Sequence, residues 1–184
     1  MRNILAHMCA ASTLALAGCS TIANRSEMNG TEDYSVKSHV EKNGQRYCYK
    51  WTVHNQHQSW GLDQFAIEVP IETHVVAHSV PPPYSDANAY WIMQETREAQ
   101  VDPHDGRSWL PAAKPGRKWL LWSGLQSPSV YPPDSTATFS LATDTEVLPG
   151  TVPEVATTYT PQNNPHYYLS FHAKVIGPSV LPVK

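Results

Sequence analysis

Residues 46–55 read RYCYKWTVHN. Side chains of an extended chain alternate between two faces. Tyr47, Tyr49, Trp51 and Val53 therefore point one way, and Cys48, Lys50, Thr52 and His54 the other. An aromatic face backed by a polar one predicts a half-buried strand. Just before it, Lys42-Asn43-Gly44-Gln45 contains an Asn-Gly pair, and both residues of that pair accept the positive φ that a tight hairpin turn requires. Residues 34–41 alternate again, so the first firm element is a β-hairpin.

The same period of two continues outward. Residues 64–69 place Phe65, Ile67 and Val69 on one face. Residues 73–80 are rich in β-branched side chains and stop at Pro81-Pro82-Pro83, a polyproline-type terminator. Residues 89–95 predict a strand, with a short helix over 92–98 as the alternative. Residues 102–116 carry three prolines and two glycines and predict the longest loop. The apolar run 118–122 suits a strand buried on both faces. Residues 135–143 turn Ala137, Phe139 and Leu141 inward, residues 155–160 give a weaker strand, and residues 166–176 align Tyr167, Leu169, Phe171, Ala173 and Val175. Eight or nine strands, Pro/Gly turns and no long amphipathic helix predict an all-β fold, a single antiparallel β-sandwich over 34–176. Residues 177–184 read as an extended C-terminal tail or an edge strand.

Composition agrees. The chain has 184 residues, suited to one domain, and is 41% hydrophobic and 16% charged with 16 prolines. Six Trp, nine Tyr and three Phe can fill a core. A net charge of −3 argues against a nucleic-acid partner. No apolar stretch beyond the N-terminus is long enough to span a bilayer as a helix.

Residues 1–19, MRNILAHMCAASTLALAGC, begin with a positive end and continue into a short apolar run, the layout of a secretory signal. Leu16-Ala17-Gly18-Cys19 resembles the lipobox of bacterial lipoproteins. That resemblance implies cleavage after residue 18, lipidation of Cys19 and, with Ser20 next, export to the outer membrane of a Gram-negative envelope. Two or more acyl chains suffice for stable anchoring without a transmembrane helix. Residues 20–33 are polar and unpatterned and read as a flexible tether of about 20 Å root-mean-square reach. Cys9 would leave with the signal and Cys19 would carry lipid. Cys48 would then remain as a lone thiol, buried in its strand, with no internal disulfide possible.

Tyr49-Lys-Trp-Thr-Val-His-Asn55, Gly61-Leu-Asp-Gln-Phe-Ala-Ile-Glu-Val-Pro70 and Tyr131-Pro-Pro-Asp-Ser-Thr-Ala-Thr-Phe139 are similar to strand segments of immunoglobulin-like or fibronectin-like modules in bacterial envelope proteins. The likeness implies an immunoglobulin-like sandwich and says little about activity, because such modules serve many functions.

Catalytic signatures are missing from the sequence. There is no Gly-x-Ser-x-Gly elbow, Trp122-Ser123-Gly124 supplying only half of one, and no phosphate-cradling glycine loop. Glu95 and Asp102 could be paired as glycosidase carboxylates, but no spacing singles them out. His74 and His78 share strand parity yet lie about 13 Å apart along a strand. His54 and His57 face opposite ways, and His104 with Asp105 sits in the long loop. None is a pre-built chelate. Trp60, Tyr84, Trp109 and Tyr131 fall in turns or beside prolines, where exposed rings could stack on a sugar or anchor a protein. The alternative for each is to fold back over an end of the core.

These readings lead to an expected function: a non-enzymatic, lipid-anchored envelope lipoprotein without a cofactor, acting as a structural or protein-interaction module. Its partners would be the membrane, through the N-terminal lipid, and an envelope protein. The first alternative is a carbohydrate-binding module built on the loop aromatics. The second is a metal-binding or hydrolytic envelope protein using His74, His78 and His104.

Overall fold

The structure, a computed structural model, describes residues 24–31, 34–58, 61–82, 91–101, 106–124, 131–144, 147–159 and 168–180. These residues form twelve strands and no helix. Sheet A contains, in spatial order, β1 (Asn24–Thr31), β2 (Tyr34–Asn43), β3 (Arg46–Asn55), β10 (Ser135–Asp144) and β5 (Val75–Ser79). Sheet B contains β12 (Tyr168–Val180), β11 (Leu148–Tyr159), β4 (Gly61–Pro70), β9 (Arg117–Gly124) and β6 (Trp91–Thr96). A small hairpin joins β7 (Gln100–Val101) to β8 (Ser108–Leu110). All of these strand pairs are antiparallel, and sheets A and B pack face to face as a β-sandwich.

The Asn-Gly hairpin forms where its sequence demands it. Asn43 pairs with Arg46, and Gly44 takes φ 59 at the turn. From β3, Tyr47, Tyr49, Trp51 and Val53 enter the core; Phe139 and Leu141 come from β10, and Phe65, Ile67 and Trp122 from sheet B. Phe65 stacks on Phe139 with centroids 4.6 Å apart, and Trp51 meets Phe65 at 5.9 Å and Trp122 at 5.8 Å. Such pairs add about 0.5–1.5 kcal/mol each beyond the apolar area they bury. Two polar bonds tie β12 across the sandwich to sheet A. The Trp51 indole donates to the Ile176 carbonyl at 2.8 Å, and the Ile176 amide donates to Ser38 Oγ at 3.2 Å.

Sheet B is covered on its outer face as well. Ala66, Trp119, Leu121 and Val155 point away from the main core and pack against Trp109 and Leu110 of β8, with Ala113 alongside. The cover is pinned by polar bonds: Trp119 Nε1 to the Pro111 carbonyl at 2.9 Å, the Lys114 amide to Glu68 Oε1 at 2.8 Å, and Ser170 Oγ to the Trp109 carbonyl at 3.1 Å. This second small core explains why β9 is apolar on both faces, as its sequence predicted.

Several expectations need correction. Within the stretch read as a tether, residues 24–31 form β1, hydrogen-bonded to β2 from Asn24↔Glu41 to Thr31↔Tyr34. An edge strand holds its place through backbone bonds and can be polar in sequence. The C-terminal segment takes the edge-strand alternative as far as Val180, where β12 ends. Within the long loop, part is the β7–β8 hairpin. The helix alternative at 92–98 gives way to β6. Finally, β11 begins seven residues before the weak strand predicted at 155–160, despite Pro149 and Pro153. Pairing with β4 begins only at Glu154. Both prolines thus occupy a stretch bonded to β12 alone, where a missing N–H is tolerated.

Candidate interaction surface

Among the described residues, the β7–β8 segment covers the outer face of sheet B around Trp119 and Leu121, whereas Lys37 and Lys50 on the outside of sheet A stay exposed. Alternation on β2, β3 and β10 fixes the composition of that outer face of sheet A. Registers of the three strands set out successive rows: Ser35, His54 and Thr136; Lys37, Thr52 and Thr138; His39, Lys50 and Ser140. Ser79 of β5 extends the last row, its Oγ 2.6 Å from Ser140 Oγ. Lys37 and Lys50 are exposed, and these rows contain no carboxylate. Glu41 and Asp144 stand beyond them at one end of the sheet, where His74 Nδ1 lies 3.3 Å from Asp144 Oδ2. At the other end His54 Nε2 lies 3.1 Å from Asp134 Oδ1, and Asp134 holds the left-handed φ of 54. These rows thus present two lysines and two imidazoles among hydroxyls.

Among the described residues, the interior holds three carboxyl groups in different environments. Glu154 enters the main core between Val152 and Ala156 and accepts a hydrogen bond from the Tyr34 hydroxyl, while its Oε2 has no partner. Burial pushes its pKa from 4.5 up to about 8, opposed only in part by the Tyr34 bond. Asp63 lies at a bulge in β4, where the register to β11 skips it. Burial holds it well above the usual carboxylate range, partly offset by its own backbone N–H, and its Oδ1 is without a partner. Glu68 is paired, its Oε2 3.4 Å from Arg117 Nε. None of the three opens onto the sheet A face. Near Arg117, an open cleft of about 490 Å³ is lined by Ile71, Glu95, Thr96, Arg97, Glu98 and Lys118, with Lys118 Nζ 2.9 Å from Glu95 Oε2.

The aromatic candidates separate into two groups. Trp109 is a core residue of the outer cover, and Tyr131 is 4% exposed, its ring against Trp91 and its hydroxyl donating to the Pro82 carbonyl. Both are therefore corrected from exposed platforms to packing residues, because their apolar area finds sheet B nearby. Trp60, Tyr84, His104, Asp105 and Cys19 lie outside the described residues. His74 precedes β5 and His78 lies within it. Among the described residues no three His, Cys, Asp or Glu side chains converge as a metal site would need. Cys48 is buried and forms no disulfide. The polar parity of each strand is legible in the sequence, but the rows of sheet A arise from register between strands distant in sequence.

Fold and surface define a two-sheet β-sandwich in which, among the described residues, one outer face carries a cover and the other presents exposed lysines. No protein-family model matches the chain, and no curated protein matches it.

Proposed function

We propose that this chain is a lipid-anchored envelope module that binds an acidic partner protein through the open face of sheet A. The observation that carries this reading is the asymmetry of the sandwich. A flap of the chain covers sheet B, whereas Lys37 and Lys50, with His39 beside them, are presented among hydroxyls on sheet A with no carboxylate in their rows. Complementary charge steers encounter and sets register more than it sets raw affinity. The lipobox-like Leu16-Ala17-Gly18-Cys19 supports anchoring by acyl chains.

Photo-crosslinking in intact cells tests it. A photoreactive residue at Thr52 or Thr138 gives a discrete protein adduct that weakens with added salt and disappears in the Lys37→Glu/Lys50→Glu double variant. These surface changes alter stability by less than about 0.5 kcal/mol each. An adduct unchanged by charge reversal, or none at either position, refutes the assignment.

A further inference from the structure

We infer that the end of the sandwich bearing the β2–β3 turn rests against the membrane surface, leaving the open face of sheet A standing beside the bilayer. This rests on the lipid-anchor reading above. The first observation is chain length. β1 begins at Asn24, five residues after Cys19, and five fully extended residues reach at most about 18 Å. The lipidated residue therefore holds Asn24 close to the headgroups.

The second observation is what shares that end. Asn24 pairs with Glu41, Asn43 with Arg46, and Arg46 with Asp144. Leu148 starts β11 shortly after Asp144. β4 runs antiparallel to β11 with Ile67 opposite Glu154, so Pro70 and the following Ile71 head to the same end. Ile71 and Leu148 are each 38% exposed, two of the four large apolar side chains that stand out among the described residues. Lys42 and Arg46 flank the turn and are exposed. Long cationic side chains of this kind lay their stems on apolar surface and reach lipid phosphates.

Charge alone does not set the orientation, since Glu41, Glu72 and Asp144 share this end and Asp144 already faces His74. The short reach and the apolar pair decide it. Docking should therefore persist on vesicles without anionic lipid.

The test uses the full acylated chain extracted from membranes, with Cys48 replaced by Ser and one fluorophore-labelled cysteine at Gln45 or Gln56, both exposed and at opposite ends of β3. Those positions are about 36 Å apart along the strand. In phosphatidylcholine vesicles carrying nitroxide on their headgroups, the label at 45 is quenched several-fold more than the label at 56. Adding Ile71→Asp with Leu148→Asp lowers quenching at 45. Equal or reversed quenching, with acyl chains confirmed by intact mass, overturns the inference alone. A mass without acyl chains and a protein that does not float with the vesicles overturns the anchor reading, and the inference with it.

Discussion

Glu154 offers a quantitative handle on the fold, because its carboxyl group faces the main core from β11 with Tyr34 as its hydrogen-bonding partner. Burial raises its pKa from 4.5 to about 8, so between these values the folded chain keeps a proton that the unfolded chain has lost. Stability from this group is complete below about pH 4.5 and is lost as the pH rises to about 8. At about 1.4 kcal/mol per pH unit the loss amounts to ~5 kcal/mol. That is a large share of the 5–15 kcal/mol typical of a domain. Glu154→Gln keeps the shape of the protonated side chain and its acceptor for Tyr34 but cannot ionise. Urea unfolding at pH 5, 7 and 9, followed by tryptophan fluorescence, compares the two proteins. Near pH 5 they agree within about 1 kcal/mol. By pH 9 the variant is the more stable by several kcal/mol, toward ~5. Parallel pH dependence in both proteins would refute the assignment of the buried proton to Glu154.

Tyr34→Phe removes the donor to Glu154 and lowers stability at pH 7 by about 1–3 kcal/mol, read from the urea midpoint. The same change carries the loss on to higher pH, because the Tyr34 bond holds the Glu154 pKa down. Trp109→Ala empties the outer cover and costs about 3 kcal/mol. Hydrogen exchange should rise first at residues 108–110 and 119 while the β2–β3 hairpin stays protected, and uniform loss of protection would contradict a separable cover. Gly177→Ala brings a Cβ to 2.6 Å from Val152 Cγ2 and destabilises by about 1–3 kcal/mol. Adding Val152→Ala should recover part of that loss in thermal melts.

The legible parts of this fold are those decided within a few residues. Residues 46–55 alternate cleanly and the Asn-Gly turn is local, so the hairpin could be read with its register. The double-sided burial of β9 was visible as unbroken apolarity. What covers its second face was not, because Trp109 finds Trp119 and Leu121 only after the β7–β8 hairpin folds over sheet B. β1 escaped notice because backbone pairing leaves no side-chain pattern in Asn24–Thr31. Pro149 and Pro153 argue against a central strand over the first half of β11, and only the pairing shows them on a stretch bonded to β12 alone. The sheet A surface needed both parity, which the sequence carries, and registers to β10, which it does not.

The place of β10 constrains how the chain can be made. β3 lies between β2 and β10, and its pairing joins Asn55 to Ser135, 80 residues later. β4 in the same way waits for β11 to cover its other edge. A chain emerging N-terminus first therefore builds the β2–β3 hairpin early, then carries Tyr49 and Trp51 for about 90 residues before their β10 partners Leu141 and Phe139 arrive. Pairings this distant in sequence close slowly and leave apolar strands open to wrong associations meanwhile. Early completion of the N-terminal half leaves the sandwich unfinished, and the last strands to appear close its core.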